Sequence, residues 1–107
     1  MSETDNLWQS ILDEERDRLS KTPVNELLIM KDDSHHKLKS GETEIEYFLI
    51  HEKPNDYPEI KNHSFILCAT RKLLPIGIIY RKYYSGFSLD DKGKVIPLPE
   101  DAIGRYD

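Results

Sequence analysis

The amino-acid sequence predicts an α+β fold: an antiparallel meander of four to five strands packed against an N-terminal helix, with room for a short second helix. Three observations carry that expectation. Apolar residues recur at helical spacing between Leu7 and Leu19. From His35 onward the pattern changes to short alternating or apolar runs bounded by turn residues. The links between those runs are short, which joins neighbours as hairpins rather than crossovers.

In the first segment Leu7, Trp8, Ile11, Leu12 and Leu19 form one apolar stripe on a helix from about Asp5 to Ser20. Thr4 or Asp5 caps its first turn. Asp13, Glu14, Arg16, Asp17 and Arg18 occupy the opposite, solvated face, with Glu14 and Arg18 in the favourable i,i+4 order. Thr22-Pro23 then reads as a helix start, Thr as cap and Pro at the first helical position. Val24 to Met30 is either a short helix or a buried strand, because periodicity does not separate the two at this length. Asp32-Asp33-Ser34 closes the segment as a polar turn.

Lys37-Leu38-Lys39, Ser40-Gly41 and Thr43 to Glu52 read as a hairpin. Ile45, Tyr47 and Leu49 share one face of its second strand, Phe48 and Ile50 the other. Lys53 to Asn62 holds two prolines and is a loop. His63 to Thr70 is the next strand, and Pro75 precedes another from Ile76 to Tyr84. Asp90-Asp91-Lys92-Gly93 has the form of a type I turn. Val95 to Leu98 carries Pro97 and suits a sheet edge. The strands near residues 45, 65 and 78 are apolar on both faces, so both faces need cover. The long helix supplies one cover; the second helix, the tail or a partner chain supplies the other. The chain is expected to form one domain: 1–30 mainly helical, 35–98 β-rich, 99–107 a tail.

With 20 acidic against 15 basic residues, the formal net charge is -5. Such a surface repels phosphate backbones and anionic membranes, so neither nucleic acid nor membrane is an expected partner. No apolar run approaches the roughly 20 residues of a membrane span. The acidic start Met1-Ser2-Glu3-Thr4-Asp5 does not resemble a secretion signal. Cys68 is the single cysteine, which rules out an internal disulfide and points to a reducing, cytoplasmic compartment.

No motif assigns a chemistry. The five glycines lack the spacing of a phosphate loop. Aligning Gly93 with the invariant Gly of a calcium loop places Lys92 and Pro99 at ligand positions, which excludes calcium. His51-Glu52 is followed by Lys53-Pro54, not by a helical zinc motif. A metal site joining His35 or His36 to His51 across the hairpin is weighed against four exposed histidines near strand ends, and the latter reading is preferred. Neither metal nor cofactor is expected. Cys68, mid-strand among aliphatics, reads as a buried, inert thiol. Glu42, Glu44 and Glu46 alternate along one face; acid-base work there needs a cleft that sequence does not supply.

The most unusual local composition is Tyr80-Arg81-Lys82-Tyr83-Tyr84-Ser85-Gly86-Phe87, basic and aromatic within an acidic chain. Arg81, Tyr83 and Tyr84 are therefore candidate partner-binding residues, because Tyr and Arg are enriched at interface hot spots. The plainer alternative has the same tyrosines closing the rim of the core while Arg81 and Lys82 pair with glutamates. The expected function is a non-enzymatic protein-binding or accessory module. Brevity and acidity suit bacterial inhibitor or immunity-like proteins, or a self-associating chain. A small enzyme using Glu44, Glu46 or a histidine is the alternative.

Overall fold

In a computed structural model, residues 3–54, 62–72 and 80–98 are described. Helix α1 runs Glu3–Ser20, with Glu3 and Asp5 in its first turn and Arg18 in its last, the polarity the helix dipole favours. Helix α2 is Val24–Leu28. The strands are β1 Asp33–Ser40, β2 Thr43–Glu52, β3 His63–Lys72, β4 Tyr80–Leu89 and β5 Val95–Pro97. They form one antiparallel sheet in the order β1-β2-β3-β4-β5, the expected meander. Residues 55–61 of the expected loop Lys53 to Asn62, the expected strand start at Ile76 with Pro75 before it, and the tail 99–107 lie outside the described residues.

Several expectations need local correction. Leu7 is 46% exposed and does not belong to the buried stripe. It sits roughly 140° around the helix from Leu12, whereas Asp5, Trp8, Glu15 and Leu19 lie close to the Leu12 line. Pro23 is the N-cap of α2 with ψ 139°, not its first helical residue, and no side chain caps that end. Asp33 and Ser34 belong to β1 rather than to a turn. The β1–β2 ladder holds through Asp33↔Ile50, and the His51 amide still donates to the Asp32 carbonyl at 2.8 Å.

The register sorts the sheet into two faces. On the α1 side the rows are His36–Tyr47–Ala69–Tyr83, Leu49–Leu67–Ser85 and His51–Phe65–Phe87. The apolar residues of these rows, with Ile45, Leu89, Ile11, Leu12, Leu19 and Leu27, make up the buried core, and His36 is partly buried at its edge. On the far side the rows are His35–Phe48–Cys68–Tyr84, Ile50–Ile66–Gly86 and Glu52–Ser64–Ser88. The last of these rows is buried, as is Ile66. The Leu98 side chain lies across Gly86, where a Cβ would collide with it and with the Phe65 carbonyl. Among the described residues, cover on the far face lies at the β5 end of the sheet. Asp90–Gly93 forms the expected turn: the Gly93 amide donates to the Asp90 carbonyl at 3.0 Å and Gly93 has φ 81°, a conformation that favours glycine. No helix among the described residues is long and apolar enough to cross a membrane.

Candidate functional site

Three carboxylates of α1 reach the sheet, and each meets a hydroxyl. Asp5, 3% exposed, accepts the Tyr83 hydroxyl proton and pairs with Arg71 at 3.0 Å and Arg81 at 3.4 Å. Trp8 lies over Tyr83 with ring centroids 5.6 Å apart, and the Arg71 guanidinium stands 6.0 Å from the Trp8 ring. Burial, and then the Asp5 carboxylate, push the Tyr83 phenol above its ordinary value. Asp13 accepts from Ser85 Oγ at 2.8 Å and from Gln9 Nε2 at 2.9 Å. Gln9 also donates to the Tyr84 carbonyl at 2.9 Å, so α1 is tied to the β4 backbone.

Glu15, 7% exposed, accepts from Tyr47 Oη at 2.6 Å and is clasped by Arg18 through Nε at 2.5 Å and Nη2 at 3.0 Å. Burial pushes the Glu15 carboxyl up, but the Arg18 and Tyr47 hydrogen bonds outweigh it and hold the group below its ordinary value. Burial, and then Glu15, raise the Tyr47 phenol. His36 stacks on Tyr47 with centroids 5.2 Å apart, and its Nε2 is 2.7 Å from Ser34 Oγ.

A histidine pair occupies the β5 end of the core. His51 is buried rather than exposed as expected of a strand-end histidine, with Nδ1 3.1 Å from the Met30 carbonyl and Nε2 2.9 Å from His63 Nδ1. A carbonyl only accepts, so His51 Nδ1 carries a proton. In the neutral ring Nε2 is then the acceptor, and His63 Nδ1 must donate to it. His51 stacks on Phe65 at 4.4 Å and Phe65 on Phe87 at 4.9 Å, which fixes the ring plane. His63 lines a cleft of about 450 Å³ with Val24, Leu28, Asp90, Asp91 and Lys92.

The far sheet face is open around Phe48, which is 55% exposed although β2 is an interior strand. His35 stands 5.0 Å from it, ring to ring. In the rows toward the Gly41 turn this face carries Lys37 and Lys39 of β1, Glu44 and Glu46 of β2, Lys72 of β3 and Lys82 of β4. Glu46 is already engaged, by Lys37 at 3.6 Å and His35 at 3.4 Å.

These placements separate the residues singled out in the sequence. Tyr83 is 3% exposed and seats α1. Arg81 lies on the same face, half-exposed and paired with Asp5 rather than with Glu44 or Glu46. Tyr84 points to the opposite face, partly exposed, in the Phe48 row. His35 and His51 are on opposite faces, and His36 pairs with Tyr47, two rows from His51, so the weighed combinations do not converge. Cys68 is partly exposed rather than buried, because strand parity turns it to the open face. Among the described residues no three His, Cys, Asp or Glu side chains are placed to hold a metal ion. The Asp5, Glu15 and His51–His63 clusters had no signal in the linear pattern except that Asp5 and Glu15 fall on the apolar helix line. Comparison with protein-family models, with curated proteins and with solved structures gives no significant match.

Proposed function

We propose that this chain is a non-enzymatic protein-binding module whose contact surface is the open half of the far sheet face, centred on Phe48. The observation that carries this reading is an aromatic ring more than half exposed on an interior strand. Large apolar side chains at such positions are ordinarily covered, and interface centres are built from aromatic anchors inside a polar rim. Tyr84 lies in the same row two strands away, across Cys68, as the second aromatic. The rim toward the Gly41 turn has four lysines against two glutamates, with Lys37 already paired to Glu46. In a chain of net charge -5 this is a local surplus of positive charge, which fits a partner with an acidic surface.

The test compares the parent chain with Phe48→Asp and with Lys82→Glu as baits in affinity purification, each variant first checked for its melting midpoint. Both sites are exposed, so stability should stay within about 0.5 kcal/mol of the parent. The expected result is a partner retained by the parent and lost by Phe48→Asp. An unchanged set of bound proteins would sink the reading. Light scattering on the same samples shows whether the partner is a second copy.

The second reading is a small enzyme, and the observation in its favour is the His51–His63 pair at the edge of a cleft. Glu44 and Glu46 support it poorly, since they sit on the open face opposite lysines. A hydrolytic or proton-transfer activity lost in His63→Gln and retained in Phe48→Asp would favour the enzyme over the binder.

A further inference from the structure

The cavity beneath the C-terminal half of α1 differs in its lining from the cleft beside β5 and the cleft at His63. It measures about 310 Å³ and is walled by Leu19, Met30, Leu49 and the ring of Tyr47. That is the lower end of the range for small-molecule sites, with the apolar walls such sites have. Its polar groups are Arg18, Lys31, Ser34 and His36. Among the described residues lining it there is no carboxylate, in a chain where acidic residues outnumber basic ones 20 to 15. The cleft beside β5 has Asp13 and Asp17 in its wall, and the cleft at His63 has Asp90 and Asp91.

We propose that this cavity binds a small amphipathic carboxylate, an organic acid with one anionic head and an apolar body. Glu15, the carboxylate that touches the lining residues Tyr47 and Arg18, accepts the Tyr47 hydroxyl and is neutralised by the two-pronged Arg18 contact at 2.5 and 3.0 Å. The positive charge that remains is Lys31, on the exposed segment between α2 and β1. Beside it Ser34 and His36 hold each other at 2.7 Å, and the His36 ring is fixed by its stack on Tyr47. These donors are therefore positioned before a ligand arrives, which lowers the cost of ordering them on binding. The walls select the body of the ligand. A bare inorganic anion would gain nothing from Leu19, Met30 and Leu49, and an amine would meet the like charges of Arg18 and Lys31. Charge and wall together single out the carboxylate with an apolar tail.

Sodium decanoate is the probe, with decanol and decyltrimethylammonium as matched controls of the same chain length. Methyl NMR on the full chain reads the result. Expected are saturable shifts of the Met30, Leu19 and Leu49 methyls with decanoate, and weaker binding of both controls. Lys31→Glu, at an exposed position, should keep the fold and weaken decanoate at least about threefold while leaving decanol unchanged. Phe48→Asp should bind decanoate like the parent, which keeps this site independent of the proposed protein-binding face. No saturable shift, equal affinity for decanol or the ammonium, or an unchanged affinity in Lys31→Glu would each overturn the proposal.

Discussion

Asp5 and Glu15 are buried carboxylates on the apolar line of α1, and Asp13, which the sequence assigns to the solvated face, also reaches the sheet. Each is tolerated there because a sheet hydroxyl and a cation or amide complete its hydrogen bonds. Glu15 gives the sharpest consequence. Its folded-state carboxyl titrates below its ordinary 4.5, so the stability it contributes is fully present above that value. That stability is lost as pH falls through the lower, folded-state value. Urea midpoints measured from pH 6 downward should therefore fall below pH 4.5, and Glu15→Gln should reduce that slope. Tyr47→Phe removes the hydroxyl donor and should cost about 1–2 kcal/mol at pH 7. If the parent and Glu15→Gln lose stability in parallel on acidification, Glu15 is not a titrating support of the fold.

At the scale of the elements, two contacts decide how α1 and β5 attach. Trp8 bridges helix and sheet through Tyr83 and Arg71, but it is only partly buried. Trp8→Ala should cost about 2–4 kcal/mol, somewhat less than a fully buried tryptophan, with loss of near-ultraviolet dichroism before loss of helix. A melting midpoint equal to the parent's would show that Asp5, Gln9 and Leu12 suffice to seat α1. Gly86 is the other contact: Ala there drives a methyl toward the Phe65 carbonyl, which cannot yield as a side chain could. A loss of about 1–3 kcal/mol or more is expected, with Leu98 released from the sheet. The elements themselves were largely legible. The turn at Gly41 and the β2 bounds Thr43–Glu52 follow from alternation, and the helix from its stripe, while β1 extends beyond the expected Lys37–Lys39 at both ends. The site was not legible in the same way. Alternation pairs Arg81 with Tyr83 and Lys82 with Tyr84, but only the helix position tells which pair is covered. The His51–His63 contact joins adjacent strands across the intervening residues, so it depends on a register that no local pattern states.

Among the described residues, α1 covers one sheet face and the cover of the other lies at its β5 end, away from the exposed Phe48. The same arrangement sets an order of events during protein synthesis. Gln9 finds the Tyr84 carbonyl 75 residues later and Asp5 finds Tyr83 78 residues later, so the first described element docks on one of the last strands made. A helix of this length forms in roughly a microsecond. The ribosome, at about 5–20 residues per second, takes roughly 4–15 s to reach its seat. For that interval Trp8, Ile11 and Leu12 have no β4 to cover them, and the growing chain is a client for any factor that shields apolar surface at the tunnel exit. A ribosome-bound chain stalled after Lys72 should therefore be cut readily by protease within α1. One stalled well beyond Leu98 should resist, and the change should come in one step when β4 emerges.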